Sequence, residues 1–322
     1  MIKLRTTGSH GIRLPDLDIG LDIRKSTSKH IFITHAHSDH VPGKRDIGVI
    51  TTEPTTRLMR ARGFSGETRI MNFHEPLDLP NARVTLYPAG HILGSAMVYV
   101  ESDEGTLLYT GDCRTPASPA CEGFELPNQV DCLITEATFG LPIYKWDFHE
   151  ILFEEIRKFA QNALADGYTP VLLGYSLGKS QEIMQALAPL KHRIQVHGSA
   201  YPLCQIYQEF GFDLGPFERY NRDTVSGSIL VTPSSAMGNG MIDSISKARI
   251  AYVSGWAALE SRRVQMTIDK LIPLSDHLDF FELMNMCEQL QPMHVYVTHS
   301  PNPEIPCYCL QKRGISASAL SA

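Results

Sequence analysis

The sequence has no run of about 18 apolar residues, the minimum for a helix that crosses a bilayer. An amino-terminal apolar segment is missing as well. MIKLRTTGSHGIRL therefore does not read as a signal peptide, and the expected setting is the cytoplasm, with no membrane partner. Positive charge is in deficit: 29 Lys and Arg against 35 Asp and Glu leave a formal net charge of −6. That balance argues against a non-specific nucleic-acid coat, but not against an enzyme that grips phosphates locally. Cysteine is sparse and unpatterned. The seven residues Cys113, Cys121, Cys132, Cys204, Cys287, Cys307 and Cys309 are odd in number and scattered, giving neither a disulfide framework nor a CxxC zinc knuckle. The Cys307-x-Cys309 pair lacks a second pair to complete a metal site. What is present is 322 residues with 43% hydrophobic side chains, enough for a substantial core in two domains or in one domain with a large insertion.

Apolar runs at His30–Thr34, Val84–Tyr87, Ala96–Val100, Leu107–Thr110 and Cys132–Thr135 predict short strands through the first 140 residues. MVYVESDEGTLLYT predicts a hairpin turning through Asp103, Glu104 and Gly105. From Phe148 the pattern changes. FHEILFEEIRKFAQNALADG carries apolar residues at helical spacing and ends at Gly167, a suitable cap. The segments PVLLGY, KSQEIMQALAPL, RIQVHG, PLCQIYQEFG, SILVTP and RIAYVSG then alternate as strands and helices of a parallel α/β sheet. After Met266 come a strand (KLIPL), a helix (DFFELMNMCEQLQ) and a strand (HVYVTH). The Ser/Ala-rich end, ISASALSA, predicts a mobile tail.

The segment His35-Ala36-His37-Ser38-Asp39-His40 crowds four metal-capable side chains into the loop after the strand HIFIT. In an extended segment side chains alternate, so His35 and His37 point the same way and can pinch one ion. Asp39 and His40 then serve a neighbouring ion. His91, between Gly90 and Gly94, adds a ligand where the backbone can approach closely. Asp112, at a strand end, can bridge two ions about 3.5–4 Å apart, and His299 can complete the second site. With His277 these make six of the thirteen histidines in ligand-like or acid-like settings; the other seven lack such company and read as surface or packing residues, His197 being the least excluded.

These motifs resemble the metallo-β-lactamase superfamily, and ITEATFG, a large α/β insertion, LSDH and VTH resemble its β-CASP nuclease branch. EATFGLPIYKW, GYSLGKSQE, VHGSAY, SGWA and PLSDHLDF look like the bacterial ligase-associated DNA-damage-response exonucleases. The likeness runs over roughly residues 8 to 300. It implies an α/β protein: an αββα sandwich (residues 1–140 and 266–322) interrupted by a β-CASP cap (141–265), with the active site in the cleft between them. Carried over residue by residue, His35, His37 and His91 hold one Zn2+. Asp39, His40 and His299 hold the other, and Asp112 bridges; manganese is an alternative metal. Asp22, with Asp18 as fallback, orients a ligand histidine or the water. His277 in LSDH is placed like the branch's general acid and Glu136 like its partner carboxylate, which with Asp39 gives the catalytic set.

Two further motifs compete. Gly174-Tyr175-Ser176-Leu177-Gly178 matches a serine-hydrolase elbow, yet that reading leaves the histidine cluster without a task. Gly178-Lys179-Ser180 echoes a P-loop, but Leu173 stands where its first glycine is required. A lysine at a helix N-terminus binds phosphate, so Lys179 and Ser180 are candidate contacts to a substrate phosphate. Arg57, Arg60 and Arg62, and again Arg262 and Arg263, form basic clusters that are either solvated faces or backbone-tracking contacts. The expected function is metal-dependent hydrolysis of nucleic acid, DNA favoured over RNA, with a link to a DNA ligase. A small-molecule metallohydrolase fits the histidine core but not the insertion. A non-catalytic scaffold would have eroded ligands.

Overall fold

The computed structural model describes residues 2–7, 11–24, 28–43, 47–238 and 240–320. The chain divides into two compact units, Met1–Lys145 with His277–Ala322, and Trp146–Asp276. No helix among the described residues is long and apolar enough to cross a membrane.

The first unit holds two sheets. Strands Arg5–Thr7, Gly11–Leu14, Ile19–Leu21, His30–Phe32, Val49–Thr51 and Thr68–Ile70 follow one another across the first. The second runs Ala317–Ala319, His294–Thr298, Cys132–Glu136, Gly105–Tyr109, Ala96–Ser102, Ala82–Pro88 and Leu77–Leu79. Period-two alternation sorts its side chains. Val98, Val100, Leu107, Tyr109 and Ile134 join Leu14, Ile19, Leu21 and Phe32 in a core shared by the two sheets. Their neighbours Met97, Tyr99, Leu108 and Leu133 face the other way, with Leu283, Met284 and Cys287 of the helix Phe280–Leu290. Since both faces of these strands are buried, they read as continuous apolar runs rather than as alternating ones. The helix Glu53–Ala61 lies against Thr68–Ile70 at the other side, giving the helix–sheet–sheet–helix order of a metallo-β-lactamase sandwich. The hairpin closes with Gly105 opposite Ser102.

The second unit is built on a six-stranded, wholly parallel sheet ordered Phe217–Arg219, Ile194–Val196, Ile229–Thr232, Thr169–Leu173, Ala248–Val253 and Lys270–Ile272. Helices His149–Ala165, Lys179–Leu187 and Tyr201–Glu209 connect the strands. Lys270–Ile272, expected in the returning segment, instead pairs with Ala248–Val253. The chain therefore re-enters the first unit at His277 rather than at residue 266. The tail expectation also fails: Ala317–Ala319 adds a parallel edge strand beside His294–Thr298, with Ile315 and Ala317 buried. Ser321 and Ala322 of that segment lie outside the described residues.

Candidate metal centre

Strand direction assembles the site. Gly105–Tyr109, Cys132–Glu136 and His294–Thr298 are parallel neighbours, so their carboxyl ends emerge together and carry Asp112, Glu136 and His299 to one edge. In the first sheet, Ile19–Leu21 and His30–Phe32 are also parallel, delivering Asp22 and the loop 35–40. A hydrogen bond from the Ala96 amide to the Thr34 carbonyl, 2.9 Å, ties the two sheets at that point.

His91 arrives through a tight loop. Gly90 and Gly94 have φ of +74° and +76°. A Cβ on Gly90 would stand 2.2 Å from the Arg114 carbonyl oxygen, so only glycine fits.

The donor atoms converge. His35 Nε2 lies 3.0 Å from His37 Nδ1 and His91 Nε2 lies 3.1 Å from it. Asp112 Oδ2 is 3.4 Å from His35 Nε2, 3.8 Å from His91 Nε2 and 3.4 Å from His40 Nε2. One atom from each of His35, His37, His91 and Asp112 lies within 4.8 Å of the others. A tetrahedral ion with ligand bonds of about 2.0–2.1 Å has donor–donor edges of about 3.4 Å, close to these separations. Imidazole nitrogens this near to one another require a shared proton or a cation between them. The donor set thus fits a divalent metal. On the far side of Asp112 the grouping is looser. His40 Nε2 stands 3.9 Å from Asp39 Oδ2, and the His299 ring stacks on His40 with centroids 5.1 Å apart and planes 19° apart. His299 reaches this position in the left-handed region, φ +47°.

Charge among the cluster's side chains is divided. Burial, aided by His40, holds His35 well below the ordinary imidazole value against the pull of Asp112. Burial also works to lower His40, but Asp112 and Asp22 together raise it well above. For Asp112 burial acts upward, and His40 with His35 overrides it, keeping the carboxyl well below the usual range.

Asp22 is fully buried. Its Oδ1 accepts the Thr34 amide at 2.8 Å, and its Oδ2 accepts Thr34 Oγ1 at 2.8 Å, Tyr109 Oη at 2.9 Å and His40 Nδ1 at 2.7 Å. Burial and Asp22 raise the Tyr109 phenol well above its ordinary value, so it stays a donor. Asp18, the fallback, caps the Lys29 amide instead.

His277 Nδ1 donates to Glu136 Oε1 at 2.8 Å, and its ring lies 4.7 Å from that of His91. Glu136, fully buried, also accepts the Cys113 amide at 3.2 Å and the Thr138 amide and hydroxyl at 3.1 and 2.5 Å. Sequence reasoning missed Arg114. Its buried guanidinium donates through Nη1 to the His277 carbonyl at 3.3 Å and to Glu282 at 3.0 Å. Thr34, Tyr109 and Thr138 were missed too. Of these, only Thr34 and Arg114 carry a sequence signal, adjacency to the ligand residues.

Lys179 and Ser180 do not present a phosphate grip. The Lys179 ammonium is buried against Glu182 and lies 3.6 Å from Asp276, and Ser180 Oγ donates to the Tyr175 carbonyl at 2.8 Å. Both groups are committed inside their own unit. Ser176 of the elbow-like motif bonds to Ser199 at 2.7 Å, and it is Ser199 that meets His197 Nδ1, at 2.7 Å. Cys307 and Cys309 sit two positions apart on the helix Glu304–Lys312, on faces too divergent to share an ion.

No family model matches the chain. A probable DNA ligase of Opitutus terrae is 33% identical over 315 residues, 97% of this chain and 30% of that protein. An RNase J-like protein of Methanocaldococcus jannaschii is 27% identical over 176 residues, 48% of this chain and 42% of that protein. The 5′ exonuclease Apollo of Mus musculus is 24% identical over 312 residues, 89% of this chain and 54% of that protein. The chain thus spans well under two thirds of each of these relatives. A protein of unknown function from Enterococcus faecalis V583 shares the fold, with a TM-score of 0.61, 13% identity, and coverage of 88% of this chain and 78% of that one. With the histidine cluster on a two-sheet sandwich and these relatives together, the chain belongs to the β-CASP nuclease branch of the metallo-β-lactamase superfamily.

Proposed function

We propose that the chain is a metal-dependent phosphodiesterase that hydrolyses nucleic acid, acting as a DNA exonuclease in repair within the cytoplasm and in functional association with a DNA ligase. The observation that carries this reading is the convergence of His35, His37, His91 and Asp112, with His40, Asp39 and His299 across Asp112. His35, His37 and His91 would hold one Zn2+; Asp39, His40 and His299 would hold the second, with Asp112 between them. Bound there, two divalent ions supply a hydroxide at neutral pH and offset charge on the phosphoryl oxygens.

The protein's own residues do the rest. Asp22 accepts from His40 Nδ1 and so favours the tautomer whose Nε2 lone pair can coordinate. Glu136 holds His277 with its Nδ1 proton engaged, so a proton on Nε2 can pass to the departing sugar oxygen. Arg114 fixes the His277 backbone from behind.

RNA is the second reading. It is favoured by the likeness to the RNase J-like protein and by a sugar-phosphate backbone common to both substrates. The test is hydrolysis of 5′- and 3′-labelled DNA and RNA by metal-analysed protein beside Asp112→Ala. Ladder direction gives polarity and substrate gives sugar preference. Equal turnover by the variant, or no cleavage of any nucleic acid, rejects the assignment.

A further inference from the structure

The basic cluster on the helix Glu53–Ala61 has a setting that the proposed reaction has not used. The helix ends at Arg62, which caps it, and Gly63 follows with φ +96°. Arg62 and Arg24 line a cavity of about 370 Å³ whose wall includes Ala36 and Ser38. Those two residues belong to the loop that also carries His35, His37 and Asp39, so the cavity backs onto that loop, and Asp39 acts electrostatically on Arg62. Ser65 and Phe64 complete the relevant lining.

Two arginines, both exposed, therefore line one recess. Among the described residues neither has a carboxylate within 4.0 Å, and the nearest acidic influence on Arg62 is Asp39. Protein around Arg62 lowers its pKa from the ordinary value, with Asp39 opposing, and the side chain has no salt bridge among the described residues. In a chain of net charge −6, a recess lined by two arginines that meet no carboxylate among the described residues, and walled by the ligand loop, calls for an anion. Its volume falls in the range of about 300–1,000 Å³ for small-ligand sites, larger than a bare phosphate requires. Hydroxyls from Ser38 and Ser65 and the Phe64 ring suit a nucleotide rather than a simple oxyanion.

We infer that this cavity is a nucleotide subsite in which Arg24 and Arg62 hold a phosphate of the substrate strand flanking the one that is cleaved. The inference rests on the nuclease reading and adds where the strand is gripped. Arg57 and Arg60, exposed on the same helix, extend the positive track.

The experiment compares two substrates of the metal-loaded full-length chain: a labelled oligonucleotide, which has flanking phosphates, and a bis-nitrophenyl phosphodiester, which has none. Arg24→Ala and Arg62→Ala should each lower kcat/KM on the oligonucleotide, relative to the small diester, roughly 10- to 100-fold, mainly through KM. Each should also reduce the slope of log(kcat/KM) against log[salt] by about 1. Arg62→Lys should recover part of the loss. Equal losses on both substrates, or unchanged oligonucleotide kinetics in both alanine variants, overturn the subsite while leaving the nuclease assignment intact. Turnover of the small diester with no cleavage of DNA or RNA by the unaltered protein overturns the nuclease reading and the subsite together.

Discussion

Single side chains carry the chemistry, and their partners predict what their loss does. His277 is held by Glu136 through Nδ1, so removing the imidazole should abolish proton donation without emptying the metal centre. His277→Ala is expected to lower kcat on an oligonucleotide about 10²- to 10⁴-fold. On a nitrophenyl phosphodiester, whose leaving group departs without a proton, the loss should shrink markedly. Full metal content by elemental analysis with undiminished loss on the nitrophenyl ester would rule out the acid role. Asp22 acts one step further back. Its carboxylate accepts from Thr34, Tyr109 and His40 while fully buried, so Asp22→Asn exchanges acceptors for donors facing Tyr109 and His40. Metal affinity should fall about 10- to 100-fold, measured by competition with a chelator of known affinity. Much of this site was legible beforehand, because the histidine cluster is a local sequence signal and the remaining ligands follow strand ends. Tyr109 and Thr138 were not, since an isolated Tyr or Thr has no spacing to betray a partner far away in sequence or a role at the site. Lys179 was misread for the converse reason: a helix-terminal lysine looks like an anion site until Glu182 and Asp276 are seen to neutralise it.

At the scale of elements, the helix Phe280–Leu290 shows how a cap becomes part of a functional scaffold. Asp279 and Glu282 form a reciprocal capping box, each side chain accepting the other's amide at 2.8 Å, and Glu282 also meets Arg114. Burial pushes the Glu282 carboxyl up to about 7, outweighing the lowering by Arg114, with Asp279 adding to the rise. An acid raised in the folded state is stabilising while it remains protonated. That contribution is whole below about pH 4.5, the unfolded value, and disappears as pH climbs through about 7. It amounts to at most about 3 kcal/mol. Denaturant unfolding at pH 5 and pH 8 should therefore show a loss for the native sequence that is smaller in Glu282→Gln. Superimposable pH profiles would refute the assignment, since the histidines contribute equally to both proteins. The elements themselves were mostly readable: the helix beginning near Phe148 is observed at His149–Ala165, and the strand–helix alternation after it forms the parallel sheet. Ala317–Ala319 escaped, and Lys270–Ile272, read as a strand, was assigned to the wrong sheet, because the place of a three-residue strand is defined by its pairing partner rather than by its own periodicity.

For the whole molecule, the discontinuous first unit is closed by segments far apart in sequence, and the metal centre lies where they meet. His35, His91, Asp112 and His299 come from four separate stretches of one unit, so the pair of ions proposed there would link strand ends of both sheets. The second unit places no residue in that ligand set, and its sheet is filled by apolar side chains such as Val171, Leu173, Leu230 and Tyr252. Metal should therefore stabilise the two units unequally. An ion that binds only the folded site at a free concentration 100 times its Kd contributes about 2.7 kcal/mol. Chelation should cost that much locally around residues 33–40, 89–95, 110–114 and 296–300. Hydrogen exchange followed by mass spectrometry, with and without chelator, reads this directly. Peptides from those segments should exchange on the order of 100-fold faster, while Thr169–Leu173 and Ile229–Thr232 should keep their protection. Restoring Zn2+ should return the protection, whereas Asp112→Ala should not respond to the metal in this way. Uniform loosening of both units, or no response in the four segments, would show that these residues do not hold the two ions.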